Sequence, residues 1–551
     1  MIRDEMGSMR LYEAVGKYLA AERQGAPIFG LLGDANLGYM GVYKERERGN
    51  FIASAHEGGA VSMGDGWARA TGNVGVVTVT HGPALSNTLT ALTEAVKSKT
   101  PILLLTGSTP EVNEHYQYID IEGFTRLSGA TFLKVRNASE VLNILDRALT
   151  RAAADQKPVV VDIPAGLLRA ETHYRGPKIP VTAWRERLPN SEAVVETAQR
   201  LVSAKRPLIL AGRGAVEARA RDELLELSRQ VNAPLVTTLL AKDLFRGEPA
   251  NLGVLGGLST PPARSYLEDV DLVISFGAAL NGFTTDEFEL LDGRILIQID
   301  IKPEALSGFG PATQIILADA KSAASAIVEH IAAAKLEVEP ADYLREIEHA
   351  ADRDSKDLYV STTGGGSIDM REATQWLSNL LPAHGRQVCD VGRFGYSTWP
   401  HITVDPARWH YIGGFGSIGL GLASAIGASI ADPNNVTALY VGDGGMMQSF
   451  AELSTAVRHR LPLVVMVLND ECYGAEYLKL QQFEVSSDHA MMEWPSFADV
   501  AKSLGAHGIR ATGAGDLRQA ASMISAEQFP LLIEIMADPH KVANSPGVVR
   551  F

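Results

Sequence analysis

The chain has 551 residues, too many for one hydrophobic core, and length alone predicts about three or four domains. Its composition is that of a globular protein, and a formal net charge of −15 argues against nucleic acid or an anionic membrane as the main partner, since both need a basic surface. Cys389 and Cys472 are the only cysteines, too few for a zinc cluster or a disulfide framework, which fits a reducing cytoplasm. The opening residues lack a signal-peptide pattern and no run of about 18 apolar residues occurs, so a cytoplasmic protein without a membrane span is expected.

The first third alternates short apolar runs with helical stretches. APIFGLLG (26–33) predicts a strand ending in a turn, HEGGAVSMGDGWARATG (56–72) a helix closed by Gly72, and VGVVTVT (74–80) a buried strand. PALSNTLTALTEAVKS (83–98) predicts a helix, and PILLLTG (101–107) and PVVVDIP (158–164) predict two more strands. Continuous apolar strands between helices imply a parallel sheet covered on both faces. Segment 172–190 is rich in proline and charge and lacks periodicity, as a linker does. A middle block follows, with strands PLILAG (207–212), APLVTT (233–238), DLVISFG (271–277) and RILIQID (294–300), then a second linker near 357–369. The last third repeats the pattern of the first: QVCDVG (387–392), VTALYVGDG (436–444), PLVVMVLND (462–470), PLLIEIM (530–536). The expected fold class is α/β, with three Rossmann-like domains at 1–172, 190–345 and 366–551, each a parallel sheet with helices on both faces.

The strongest chemical signal is VGDGGMM (441–447) followed by VLND (467–470). One strand ends in GDG, a helix is expected to begin near Gln448, and a second strand ends in ND. Asp443 and Asp470 then stand at the carboxyl ends of adjacent parallel strands, where open α/β sheets bind ligands. Glycines let the backbone approach a diphosphate, a helix start offers N–H groups, and two carboxylates hold a hard cation such as Mg²⁺. A lone GDG is as readily a tight turn, but the strand-end ND 27 residues on makes a site the better reading.

These segments resemble the thiamine diphosphate motif of the pyruvate decarboxylase and acetohydroxyacid synthase superfamily, and the resemblance covers nearly the whole chain. It implies a pyrimidine-binding domain at the N-terminus, a central domain and a diphosphate-binding domain at the C-terminus. It implies thiamine diphosphate held by Mg²⁺, with the metal on Asp443, Asp470 and the backbone carbonyl of Cys472. Gly392, Gly442, Gly444, Gly445, Tyr473 and Gly474 fall on cofactor-binding positions. Two departures stand out: Asp470 replaces the second Asn of the family's NN pair, and Gly445 replaces its usual Ser.

Other segments carry the same resemblance. SAHEGGAVSMGDGWARATG (54–72) places Glu57 on the Glu that pairs with the pyrimidine ring and activates the cofactor. A buried carboxylate is expected there, the right chemical type for passing a proton. GGFGSIGLGLASAIGA (413–428) places Ile418 on the residue that wedges the cofactor into its bent shape, with Gly416 and Ser417 beside it. THGPALSNTLTA (80–91) resembles the turn TSGPG.TN, with His81 in place of Ser, which makes His81 a candidate acid or base as well as a structural partner. GLLGDANLGYM (30–40) places Asp34, and NDECYGAE (469–476) places Glu476, on the active-site acids of pyruvate decarboxylase. That family's paired histidines are missing, and EHYQYIDIEGFTR (114–126) instead places Gln117 on the active-site Gln of acetohydroxyacid synthase.

Acetohydroxyacid synthase itself is disfavoured, since Phe283 stands where its acceptor-binding Arg belongs and Lys479 lies near the place of its Trp. AGRGA (211–215) and QIDIKPE (298–304) are compatible with FAD, but such signals are common in Rossmann-like domains and FAD is not favoured. The expected activity is decarboxylation of a 2-oxo acid with carboligation. The alternatives are an acetolactate synthase-like enzyme or a lyase of 2-hydroxyketones or 1,2-diones. A cofactor-binding paralogue without activity predicts loss of Glu57 or Asp443, and both are present; a pure FAD-binding module has no need of GDG and ND. Glu57 and Asp443 lie in different domains and must reach one cofactor, so a homodimer or homotetramer with shared sites is expected.

Overall fold

The computed structural model describes residues 8–109, 115–178, 187–259, 261–306, 312–338, 347 and 359–542. Three six-stranded sheets account for the three apolar blocks of the sequence. In the first, the strands run in the spatial order Phe51–Ala53, Ile28–Gly30, Gly75–Thr78, Ile102–Thr106, Val159–Asp162 and Thr131–Lys134, all parallel. Runs such as ILLLT and VVVD are buried along their whole length, as strands covered on both faces must be. The middle sheet has the order Asn251–Val254, Leu235–Thr237, Pro207–Ala211, Leu272–Phe276, Ile295–Asp300 and Gln314–Leu317, again parallel. In the third, Trp409–Ile412, Arg386–Asp390, Thr437–Gly442, Leu463–Asn469, Leu531–Met536 and His507–Ala511 follow one another.

Every strand predicted from the sequence is an inner strand of its sheet. Within these three sheets, the six strands that were not predicted are the two edge strands of each. Edge strands are exposed on one side, so their patterns break up: Gln314–Leu317 alternates buried and exposed, and His507–Ala511 buries only Ile509 and Ala511. A reading keyed to continuous apolar runs passes over them.

Local structure departs from expectation at three places. The stretch 83–98 is two helices, Pro83–Ser86 and Leu89–Lys97, because the chain turns at Asn87 and Thr88. The first linker begins with a strand, Glu171–His173, antiparallel to Ser8–Arg10; residues 179–186 of that linker and 357–358 of the second lie outside the described residues. The helix after GDG starts at Asp443 rather than near Gln448, with an acidic residue in the first turn, where the helix dipole favours it.

The first and third sheets belong to one compact unit and the middle sheet to another. Within the first unit a single core cluster joins Phe29, Trp67 and Leu92 to Leu422, Ile426 and Met446. Helix Glu57–Thr71 packs on helix Gly421–Ala431 with the backbones in contact. A Cβ on Gly66 would collide with the Ser424 carbonyl, and one on Gly427 with the Met63 carbonyl. The middle sheet has its own core around Ile209, Phe276 and Ile297. No helix among the described residues is long and apolar enough to cross a membrane.

Candidate functional site

The strands Thr437–Gly442 and Leu463–Asn469 pair in register, Gly442 opposite Leu468, so Asp443 and Asp470 emerge at neighbouring carboxyl ends. Both are buried, Asp443 to 3% and Asp470 to 6% exposure. Burial, with the charge of Asp470 added, pushes Asp443 up to about 7. Burial pushes Asp470 to about 6, while Arg393 pulls it the other way. Two buried carboxyls that resist ionising together are what a divalent cation would relieve.

The Asp443 carboxylate is already oriented. Its Oδ1 accepts from the Gly444 amide at 2.8 Å and its Oδ2 from the Trp494 indole at 3.0 Å. Cys472 pairs with Met491 in an isolated antiparallel bridge whose hydrogen bonds run from Tyr473 to Ala490 and from Met492 to Glu471. The Cys472 carbonyl therefore takes no part in the bridge. No group of three His, Cys, Asp or Glu side chains among the described residues could hold a metal. A cation here would take the two carboxylates, a backbone oxygen such as that of Cys472, and phosphate oxygens. The donor set fits hard, oxygen-seeking Mg²⁺.

Beside this pair lies the glycine-rich loop that holds Gly416, Ser417 and Ile418. Ile418 and Ser417 are half-buried and Gly416 is exposed. The loop is tied from beneath by Asp390, which is fully buried and accepts from the amides of Val391 at 3.0 Å and Gly419 at 2.8 Å. Burial pushes Asp390 up to about 7. Its Oδ2 also explains Gly445: a Cβ there would stand 2.8 Å from that oxygen, so a Ser does not fit without displacing Asp390. Gly392, Tyr473 and Gly474 lie around the same strand ends; the Tyr473 ring stands where a Cβ on Gly444 would point.

A second group gathers at the carboxyl ends of the first sheet. His81 is 4% exposed, and its Nε2 donates to Gln117 Oε1 at 3.0 Å. The other ring nitrogen, Nδ1, is buried and has no hydrogen-bond partner among the described residues; in the neutral ring it carries the lone pair. Asp34 is exposed on a loop seated against the same turn, where the Ala35 amide donates to Thr80 Oγ1 at 3.1 Å. Glu57 opens its helix and accepts from Asn87 Nδ2 at 3.0 Å. It is half-buried, not buried as expected, because it precedes the packed face of the helix, which begins at Ala60. Glu476 is exposed on helix Gly474–Gln482.

Several residues of this region were not anticipated. Asn87 closes the TSGPG.TN-like turn, which signalled its place but not its contact with Glu57. Trp494, Arg393, Asp390, Glu94 and Glu452 carry no local motif. Glu94, in the first third, accepts from Gly414 at 3.0 Å and Phe415 at 2.6 Å, just before the GSIG loop. It is held by Arg69, whose guanidinium also bonds Asp65 and the Tyr411 carbonyl.

Known sequences bear on this arrangement. Three family models match the chain: the thiamine pyrophosphate enzyme N-terminal binding domain over residues 9–132, the central domain over 194–327 and the C-terminal binding domain over 390–535. A sulfoacetaldehyde acetyltransferase of Alcaligenes xylosoxydans xylosoxydans is 28% identical over 92% of this chain and 90% of its own length. The large subunit of acetolactate synthase isozyme 3 of Escherichia coli (strain K12) is 28% identical over 83% of this chain and 82% of its own. The mitochondrial acetolactate synthase catalytic subunit of Aspergillus candidus is 27% identical over 94% and 79%. With the three α/β sheets and the paired strand-end carboxylates, these matches place the chain in the thiamine pyrophosphate enzyme superfamily of pyruvate decarboxylase and acetohydroxyacid synthase.

Proposed function

We propose that this enzyme decarboxylates a 2-oxo acid and passes the remaining fragment to an acceptor carbonyl, using thiamine diphosphate and Mg²⁺. The pair Asp443 and Asp470 carries the reading, since two buried carboxyls at neighbouring strand ends, the charge of Asp470 adding to the burial of Asp443, call for a divalent cation where a diphosphate would lie. Residues 1–172 take the pyrimidine-binding role and 366–551 the diphosphate-binding role. Thiamine diphosphate, when bound, would supply a nucleophilic carbon and an electron sink next to the reacting carbonyl.

The chain's own groups then have distinct tasks. Asp443, Asp470 and the Cys472 carbonyl hold the metal, and Gly442, Gly444 and Gly445 leave room for the diphosphate. Glu57 exchanges a proton with the pyrimidine ring, oriented by Asn87. Ile418 would pack against the cofactor. His81, through Nδ1, and the acids Asp34 and Glu476 move protons at the substrate, while Gln117 fixes the His81 ring. The site is shared between two chains of a homo-oligomer in the cytoplasm.

Transfer to an acceptor is supported by relatives named as acetolactate synthases and acetyltransferases. Acetolactate synthesis as such is not favoured, because Phe283 and Lys479 depart from that pattern. FAD is not part of the reading, and flavin absorbance of the purified protein checks this. The central test is a panel of 2-oxo acids with added thiamine diphosphate and Mg²⁺, scored for CO₂ and for acyloin. CO₂ release without any acyloin across aldehyde acceptors would remove the transfer step.

A further inference from the structure

Glu452 ends the short turn Phe450–Glu452 in the last third of the chain, and it is 3% exposed. Its hydrogen bonds reach across to the first third. The Ala55 amide donates to both carboxylate oxygens, at 3.0 and 3.1 Å, and the His56 amide donates to Oε1 at 2.9 Å. The Thr455 hydroxyl donates to Oε2 at 2.9 Å. Arg458 adds a second hold on the same stretch, donating to the Ala53 carbonyl at 2.6 Å and to Thr455 Oγ1 at 2.8 Å. Burial raises the proton affinity of Glu452, while the Ala55 amide, the Thr455 hydroxyl and the His56 amide favour its ionised form.

The stretch so held, residues 53–56, links strand Phe51–Ala53 to the helix that starts at Glu57. His56 caps that helix, its ring accepting from the Gly58 amide at 3.1 Å. The helix itself leaves room for the carboxylate: a Cβ on Gly59 would fall on Glu452 Oε1. Amide donors to a buried carboxylate make charge-assisted bonds, shorter and stronger than neutral ones. A displacement of about 1 Å in a reacting group can cost about a hundredfold in rate.

We infer that Glu452 is a positioning residue for Glu57: by holding the backbone amides of Ala55 and His56, it fixes where the Glu57 carboxyl stands. This rests on the reading of Glu57 as the group that activates the cofactor.

Two readouts test it. In the cofactor-free protein, amide hydrogen exchange of the peptide covering Ala55 and His56 should speed up in Glu452→Ala. In the loaded protein, exchange of the thiazolium C2 proton should slow by about tenfold or more, with thiamine diphosphate affinity changed by less than about threefold. Glu452→Gln, which keeps the size and one acceptor oxygen, should recover most of both. If Glu452→Ala does not fold, Gly59→Ala displaces the same carboxylate with Glu452 intact, and it should slow C2 exchange likewise. Wild-type C2 exchange in a folded Glu452→Ala or Gly59→Ala, while Glu57→Gln is slow, overturns the positioning role alone. Wild-type exchange in Glu57→Gln overturns the reading of Glu57 and this inference with it.

Discussion

Asp470 stands one strand over from Asp443, and its negative charge adds to burial in pushing Asp443 up to about 7. In the metal-free protein both carboxyls bind protons more tightly folded than unfolded. Their linked stability is present below the ordinary aspartate value of about 4 and is lost as pH rises through about 6 for Asp470 and about 7 for Asp443. A cation needs both groups ionised. Mg²⁺ should therefore raise the Tm strongly at pH 8 and hardly at all at pH 5, with proton release on binding near neutrality. Asp470→Asn keeps an oxygen ligand and removes the charge facing Asp443, so Mg²⁺ binding should persist to lower pH. Asp443→Ala should abolish activity. Calorimetric titration at several pH values decides, and pH-independent Mg²⁺ binding would sink the metal assignment.

Among the described residues, Asn87 is the side-chain donor that orients Glu57. Glu57→Gln should slow C2 proton exchange by roughly a hundred- to ten-thousandfold with the fold intact. Asn87→Ala removes a hydrogen bond to a carboxylate, worth about 1.5–3 kcal/mol, and should slow it by about tenfold. Exchange followed by NMR after acid quench gives both numbers. An Asn87→Ala effect as large as that of Glu57→Gln would mean that Asn87 does more than orient.

Glu57 and Asp443 lie on different halves of the compact unit. If each site takes Glu57 from one chain and Asp443 from another, inactive Glu57→Gln and Asp443→Ala chains should complement after mixing and subunit exchange. About a quarter of the wild-type activity is expected, since half of the dimers are mixed and each has one intact site. No recovery, with subunit exchange proven by mass, places both residues of a site in one chain.

His81 keeps its Nε2 on Gln117 and presents a buried Nδ1, which can take up a proton and hand it on. If His81 protonates the substrate-derived carbon, His81→Ala should shift product from aldehyde to acyloin. Gln117→Ala, which frees the ring to turn, should shift it the same way but less. Product ratios by gas chromatography check this, and an unchanged ratio in His81→Ala removes His81 from the proton path.

Gly66 sits where helix Glu57–Thr71 crosses helix Gly421–Ala431. In an exposed helix Gly→Ala would stabilise by about 1 kcal/mol. Here the added Cβ meets a backbone carbonyl, that of Ser424, which cannot swing aside as a side chain would. Overpacking of this kind costs about 1–3 kcal/mol or more, so Gly66→Ala should lower the denaturation midpoint. A raised midpoint would mean that the helices cross less closely.

Local sequence determined the inner strands and which residues stand at their ends. Runs such as Ile102–Thr106 and Leu463–Asn469 are apolar up to their last residue because both faces are covered, and that signal needs no partner to be read. The GDG and ND ends follow directly from those strands, so Asp443 and Asp470 were legible. Edge strands were not, since one side of each is open: Gln314–Leu317 alternates buried with exposed residues, and Phe51–Ala53 is only three residues long. Nor could sequence give the burial of Glu57, the match of Asp390 to Gly445, or the holds of Glu94 on Phe415 and Glu452 on His56. Glu452 is nearly four hundred residues from His56. Such contacts exist only once the first and third sheets have packed, because hydrogen bonds between distant residues leave no periodicity in the chain.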